Sequence, residues 1–193
     1  QPASALREPC PACGNACSSD SNTVCSPSIS SMACTLGAPV SVPAGKELKK
    51  LPMILIPHGG PYGPRDVWGW NEQIQFLASR GYAILQVNYR GSGGYGLSFQ
   101  RGGYREWGGK MQDDLTDGVR WCIEQGYADP SRVGIFGASY GGYAALAGAA
   151  FTPDLYRCSV SVAGVSDLVE MLRWVEDRGG IEDPAVRFWR KHI

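Results

Sequence analysis

Histidine is the scarcest residue with useful acid–base chemistry here: 193 residues contain only two, His58 and His192. Any mechanism that needs an imidazole therefore has two candidates. Net charge is lacking as well. Eighteen basic side chains balance eighteen acidic ones, so nucleic acid and anionic membranes are poor partners. No apolar run approaches the roughly 18 to 20 residues of a membrane helix, and the first residues lack the basic start and apolar stretch of a secretory signal. The chain reads as soluble, with a cytoplasmic setting expected ahead of a periplasmic or secreted one. It starts at Gln1 rather than methionine, as a processed product or a piece of a longer chain would.

Glycine and cysteine are abundant instead. The 26 glycines are about twice the usual share, and the seven cysteines are unevenly spread. Residues 1–45 hold five of them, Cys10, Cys13, Cys17, Cys25 and Cys34, with only three charges, Arg7, Glu8 and Asp20. This segment is rich in serine, proline and alanine and shows no period of 3.6 or 2, so it offers no amphipathic face to bury. Cys10-Pro11-Ala12-Cys13 has a spacing that opens many zinc sites, but the later spacings widen and no histidine is near, so no metal site is expected. A disulfide-bonded extension stays open, although five cysteines leave one unpaired. The plainer reading is a disordered or non-native leader over residues 1–45.

From Lys46 onward short apolar runs alternate with helical stretches, the pattern of an α/β fold with a mainly parallel sheet. Strands are expected at residues 51–56, 82–87, 132–136 and 158–163. Helices are expected at 71–80, closed by Gly81, at 109–125, where Met111, Leu115, Val119 and Cys122 recur at helical spacing, and at 140–151. Asp129-Pro130-Ser131 reads as a turn. Cys122 and Cys158 fall on a helix face and a strand and are expected to be buried thiols. The run Gln112-Asp113-Asp114 reads as a helix surface with one buried hydrogen-bonding member.

Gly137-Ala138-Ser139-Tyr140-Gly141 carries the chemistry. This G-x-S-x-G lies between a strand and a helix, where a strained turn lifts the serine hydroxyl above the sheet edge and glycines let neighbouring backbone approach. Ser139 is the candidate nucleophile. The helix that starts behind it favours developing negative charge. His58-Gly59-Gly60-Pro61 follows an earlier strand, where such folds supply a second backbone donor. Gly60 and Tyr140 are the candidate amide donors of an oxyanion hole. His58 precedes the serine, against the order Ser, acid, His, and reads as a partner that shapes the loop.

Together these residues resemble the α/β-hydrolase domain of the prolyl oligopeptidase family of serine peptidases, especially its acylaminoacyl-peptidase and dipeptidyl-peptidase-like members. The resemblance covers about residues 42–193. It rests on Pro57-His58-Gly59-Gly60-Pro61, Asn88-Tyr89-Arg90-Gly91-Ser92-Gly93-Gly94-Tyr95-Gly96, Trp107-Gly108-Gly109 with Asp113-Asp114, and Gly137 to Tyr143. It implies an α/β-hydrolase fold, a mainly parallel sheet flanked by helices and incomplete at its C-terminal side. It also implies Ser139 as nucleophile, Gly60 and Tyr140 as oxyanion donors, a peptide substrate, and no cofactor or metal. Arg90, Trp107 and Asp113 match scaffold positions.

The resemblance breaks off after Ser139. The family places its acid and histidine on later strands, and residues 164–193 do not read as strands. His192 would need Asp167, Asp177 or Asp183 beside it. The expectation is a partial domain over residues 46–193 whose catalytic Asp and His lie beyond Ile193, with a shifted frame or artificial junction near Val42 accounting for the leader. An esterase or lipase-like hydrolase using the same serine, and an inactive remnant, stay open. Trp68, Trp70 and Tyr62 fit pocket lining and packing equally well.

Overall fold

The computed structural model describes residues 39–67 and 69–193. The five leader cysteines and their C-x-x-C spacing lie outside the described residues. Five strands, β1 (Val40–Ser41), β2 (Leu51–Leu55), β3 (Ala83–Leu85), β4 (Ala128–Ala138) and β5 (Cys158–Val162), form one sheet in the order β1-β3-β2-β4-β5. β2 to β5 run parallel, and β1 pairs antiparallel with β3, Val40 opposite Leu85. Parallel strands need cover on both faces, and the central ones have it: Met53, Leu55, Ala83 and Ile84 are fully buried. Val40 and Val42, which the change in composition near residue 45 assigns to the leader, are buried in this core.

Six helices flank the sheet among the described residues. In α1 (Glu72–Ser79) the Asn71 side chain accepts from the Ile74 N–H at 3.1 Å, and Gly81 follows with a positive φ. A short α2 (Leu97–Arg101) interrupts the glycine-rich loop. In α3 (Lys110–Glu124) Met111, Leu115, Val119 and Cys122 are all fully buried, as their spacing requires. α4 (Tyr140–Phe151) packs on β4 and β5. Two helices close the described chain, α5 (Leu168–Gly179) and α6 (Pro184–His192). Asp167 accepts from the Val169 and Glu170 N–H groups, and Asp183 from that of Ala185 ahead of Pro184 in the first turn. No described helix is long and apolar enough to cross a membrane.

Three expectations change. The strand expected over 82–87 is regular only at Ala83–Leu85. β4 runs through Asp129-Pro130-Ser131, because Leu51 pairs with Ala128 and Met53 with Val133. The turn persists as a bulge in that strand, where Asp129 accepts from the Ser131 N–H at 2.9 Å and its hydroxyl at 2.7 Å. Cys158 is exposed, not buried, because β5 is an edge strand, whereas burial pushes the Cys122 thiol up to about 12.

Candidate active site

β4 ends at Ala138, α4 begins at Tyr140, and Ser139 alone makes the turn with φ 57° and ψ −120°. A positive φ is strained for any residue with a Cβ, by about 1–3 kcal/mol, and persists only where the surroundings enforce it. Here they do. The Ser139 N–H donates to the Val162 carbonyl at 3.0 Å, and the Ser139 carbonyl accepts from the Tyr143 N–H at 3.0 Å. A Cβ on Gly137 would overlap the Gly141 backbone, and one on Gly141 would overlap the Pro57 carbonyl oxygen. The turn is pressed against the end of β2, and only glycine fits at both positions. Ser139 is left exposed at the sheet edge.

The loop after β2 meets this turn. A Cβ on Gly59 would stand 3.5 Å from Ser139 Cβ and 3.4 Å from the Ala138 carbonyl oxygen. Gly60, the next residue, is exposed and has φ +131°. Tyr140 opens α4 with its side chain fully buried. The first N–H groups of a helix have no intrahelical acceptor and carry its positive end. The structure thus gathers Ser139, the Gly59-Gly60 backbone and the start of α4 at one edge of the sheet.

Both histidines are engaged elsewhere. His58 Nδ1 lies 2.8 Å from the Gly59 carbonyl oxygen and Nε2 lies 2.8 Å from Ser92 Oγ. The neutral tautomer satisfies both, with Nδ1–H donating to Gly59 and the Ser92 hydroxyl donating to Nε2. The ring stacks on Tyr89 at 4.4 Å and 19°. Burial holds the His58 pKa below its ordinary value, against the opposing pull of the Gly59 bond and of Asp66. His192 sits at the end of α6, its Nδ1–H donating to the Phe188 carbonyl at 2.7 Å. Its own carbonyl accepts from the Tyr62 hydroxyl at 2.6 Å and the Arg105 N–H at 2.8 Å. Asp167 and Asp183, two of its possible acid partners, are helix caps. Among the described residues every ion pair joins a carboxylate to Arg or Lys.

A scaffold holds these loops. Asp114, rather than Asp113, is the buried acid: it accepts from Arg90 Nε at 2.8 Å, Nη2 at 2.6 Å and the Arg90 backbone N–H at 2.8 Å. Trp107 packs edge-on against Tyr140 at 4.6 Å and donates from Nε1 to the Tyr62 hydroxyl at 3.0 Å. Tyr62 is half-buried and packs edge-on against Tyr104, Trp70 is 80% exposed, and Trp68 lies outside the described residues. Among the described residues no group of three or more His, Cys, Asp or Glu is placed to hold a metal. The sequence places Tyr89 and Ser92 in the glycine-rich motif without a role, and their partner His58 lies 31 and 34 residues away. No local pattern marks such contacts.

The chain is similar to proteins of one kind. Dipeptidyl aminopeptidase BIII of Pseudoxanthomonas mexicana is 48% identical over 131 residues, 68% of this chain and 19% of that protein. Dipeptidyl peptidase family member 6 of Caenorhabditis elegans is 41% identical over 63% of this chain and 16% of its own length. The chain spans less than a fifth of these curated relatives. An acylaminoacyl peptidase of Pyrococcus horikoshii superposes with a TM-score of 0.66 at 30% identity, covering 81% of this chain and 24% of that one. A puromycin-hydrolyzing peptidase of Mycobacterium tuberculosis gives the same score and identity over 80% and 25%. The mixed sheet flanked by helices matches the α/β-hydrolase arrangement of these structures. The family model that matches residues 68–178, across the glycine loop, Trp107 and the whole serine turn, places this chain in the prolyl oligopeptidase family.

Proposed function

We propose that this chain carries the nucleophile half of a serine peptidase that cleaves peptides through an acyl-enzyme on Ser139. The reading is carried by one observation, the strained and exposed Ser139 between two close-packed glycines at the start of a helix. Ser139 Oγ bonds to the scissile carbonyl carbon as its proton leaves. The carbonyl π pair moves onto oxygen, and the N–H groups of Gly60 and Tyr140 hold that oxyanion. Collapse expels the amine, which takes a proton as it goes, and water then releases the acyl group by the same steps in reverse. Losing one such donor raises the barrier by about 2.7–4 kcal/mol.

His58 has both nitrogens engaged and His192 is turned to Phe188. The reading therefore assigns the proton-accepting imidazole and its acid to residues outside these 193. The test is labelling by a fluorophosphonate with and without excess imidazole, a diffusible substitute for the base. Labelling is expected to be weak alone, to rise with imidazole and to vanish in Ser139→Ala. Strong labelling without imidazole would assign the base to a histidine of this chain. No labelling under either condition sinks the serine chemistry.

A further inference from the structure

Three consecutive residues after β3 are tied to three different elements. Asn88 accepts from the Asp66 N–H at 2.7 Å and donates to the Asp66 carbonyl at 3.0 Å, fastening the loop that follows Pro61. Arg90 is bonded through its guanidinium and its backbone N–H to Asp114 on α3. Tyr89 lies between them, fully buried. Its hydroxyl donates to the His58 carbonyl at 2.8 Å, and its ring lies on the His58 ring. The same ring packs on that of Tyr140, with centroids 5.1 Å apart and planes 38° from parallel. His58 leads into Gly59-Gly60, and Tyr140 carries the other proposed donor.

We infer that Tyr89 is a positioning residue that fixes the Gly60 and Tyr140 amides relative to each other, an inference that rests on the oxyanion assignment above. Two donors on separate loops act together only if their spacing is set before reaction, because preorganised dipoles help by not having to move. A tyrosine suits the task, being rigid, large and satisfied at its hydroxyl by His58 alone, through the carbonyl at 2.8 Å and Nδ1 at 3.1 Å. Its backbone is pinned on both sides, by Asn88 to one loop and by Arg90 to α3. A residue that merely filled the core would not need the hydroxyl.

Graded variants read the two contacts separately. Tyr89→Phe removes the bond to His58 and keeps the ring on Tyr140; Tyr89→Leu removes both; Leu115→Ala on α3 serves as a destabilised control. Amide exchange is compared at equal distance below each melting temperature. Tyr89→Phe should speed exchange at residues 58–60 about fivefold relative to residues 133–136 of β4, the equilibrium value of one hydrogen bond. Tyr89→Leu should extend that excess to residue 140, and Leu115→Ala should show none. Imidazole-assisted labelling of Ser139 should slow about fivefold in Tyr89→Phe and hold in Leu115→Ala. A uniform rise across the core, or the same local excess in Leu115→Ala, overturns the inference. If the unsubstituted chain does not label, the proposed chemistry fails, and the exchange comparison still decides whether Tyr89 holds the two amides.

Discussion

The serine turn and the segment beyond β5 are held by different forces. Around the turn, β2, β3, β4, α3 and α4 share one apolar core, and Met53, Leu55, Leu115, Val119 and Tyr140 are fully buried. Beyond β5, α5 buries no residue and α6 buries only Val186. Its ion pairs are at the surface, where Arg190 Nε reaches Glu176 Oε1 at 2.5 Å, Arg173 pairs with Glu170, and Trp174 lies under the Arg178 guanidinium at 4.3 Å. Phe188, Trp189 and His192 of α6 pack on Tyr62, Tyr104 and Trp107. Val160 and Val162 on β5 stay 41% and 47% exposed. At Ser139 the close packing of Gly137 and Gly141 enforces the strained backbone, whereas Lys50, Arg105 and Ala163 take a positive φ at exposed positions. Exposed ion pairs are individually weak and do not hold backbone in a costly conformation.

The contrast breaks most visibly in stability. Leu115→Ala should cost about 2–5 kcal/mol, since it opens a cavity in a core that cannot fully collapse. Val169→Ala, on α5 and 57% exposed, should stay within about 0.5 kcal/mol. Urea unfolding of both variants measures the difference. Equal losses would mean that α5 belongs to the same cooperative core.

Both regions are readable in the sequence, for different physical reasons. α3 follows from residues 109–125 because its buried residues repeat at the period of the helix, β2 follows from the short apolar run at 51–56, and α4, apolar nearly all round, follows from its small residues after the serine turn. The serine turn is readable because a compressed strand-to-helix crossing needs Gly137 and Gly141 for lack of room. α5 and α6 bury one residue between them, yet their apolar residues recur at helical spacing, and Asp167 and the pair Asp183-Pro184 are start signals, so both helices are legible in residues 164–193. Cys158 was misplaced because burial of a strand residue depends on where the strand sits in the sheet, which no local pattern records. The ties of Tyr89 to His58 and Tyr140 join residues 31 and 51 positions away, and only the fold brings them together.

The cost of enforcing Ser139 can be read directly. Ser139→Gly removes the Cβ at φ 57° and should stabilise the chain by about 1 kcal/mol while deleting the proposed nucleophile. Ser139→Ala keeps the Cβ and should gain nothing. The difference between the two melting temperatures measures the strain. A Gly variant no more stable than the Ala variant would show that the turn is relaxed, and the distinction drawn between the two regions would lose its main support.

The smallest effect separates the regions by pH. The His58 pKa is held below its ordinary 6.5, chiefly by burial. As pH falls, the unfolded chain therefore takes up this proton first. That part of the stability is complete above 6.5 and declines as pH drops from there toward the lowered folded value. Glu176, held below its ordinary 4.5 by its bond to Arg190, responds in the same direction over a lower range. Its contribution is present above 4.5 and is lost as pH falls through its lowered folded value. Melting temperature against pH should thus show a shallow fall below neutrality that His58→Gln flattens, and a separate acid fall that Glu176→Gln reduces. The second fall should also weaken in high salt, because the Glu176–Arg190 pair is exposed. The first should not, because the His58 shift comes from burial. If salt moved both alike, the pH response of the loop beside Ser139 would be a surface charge effect, and the two regions would differ in packing alone.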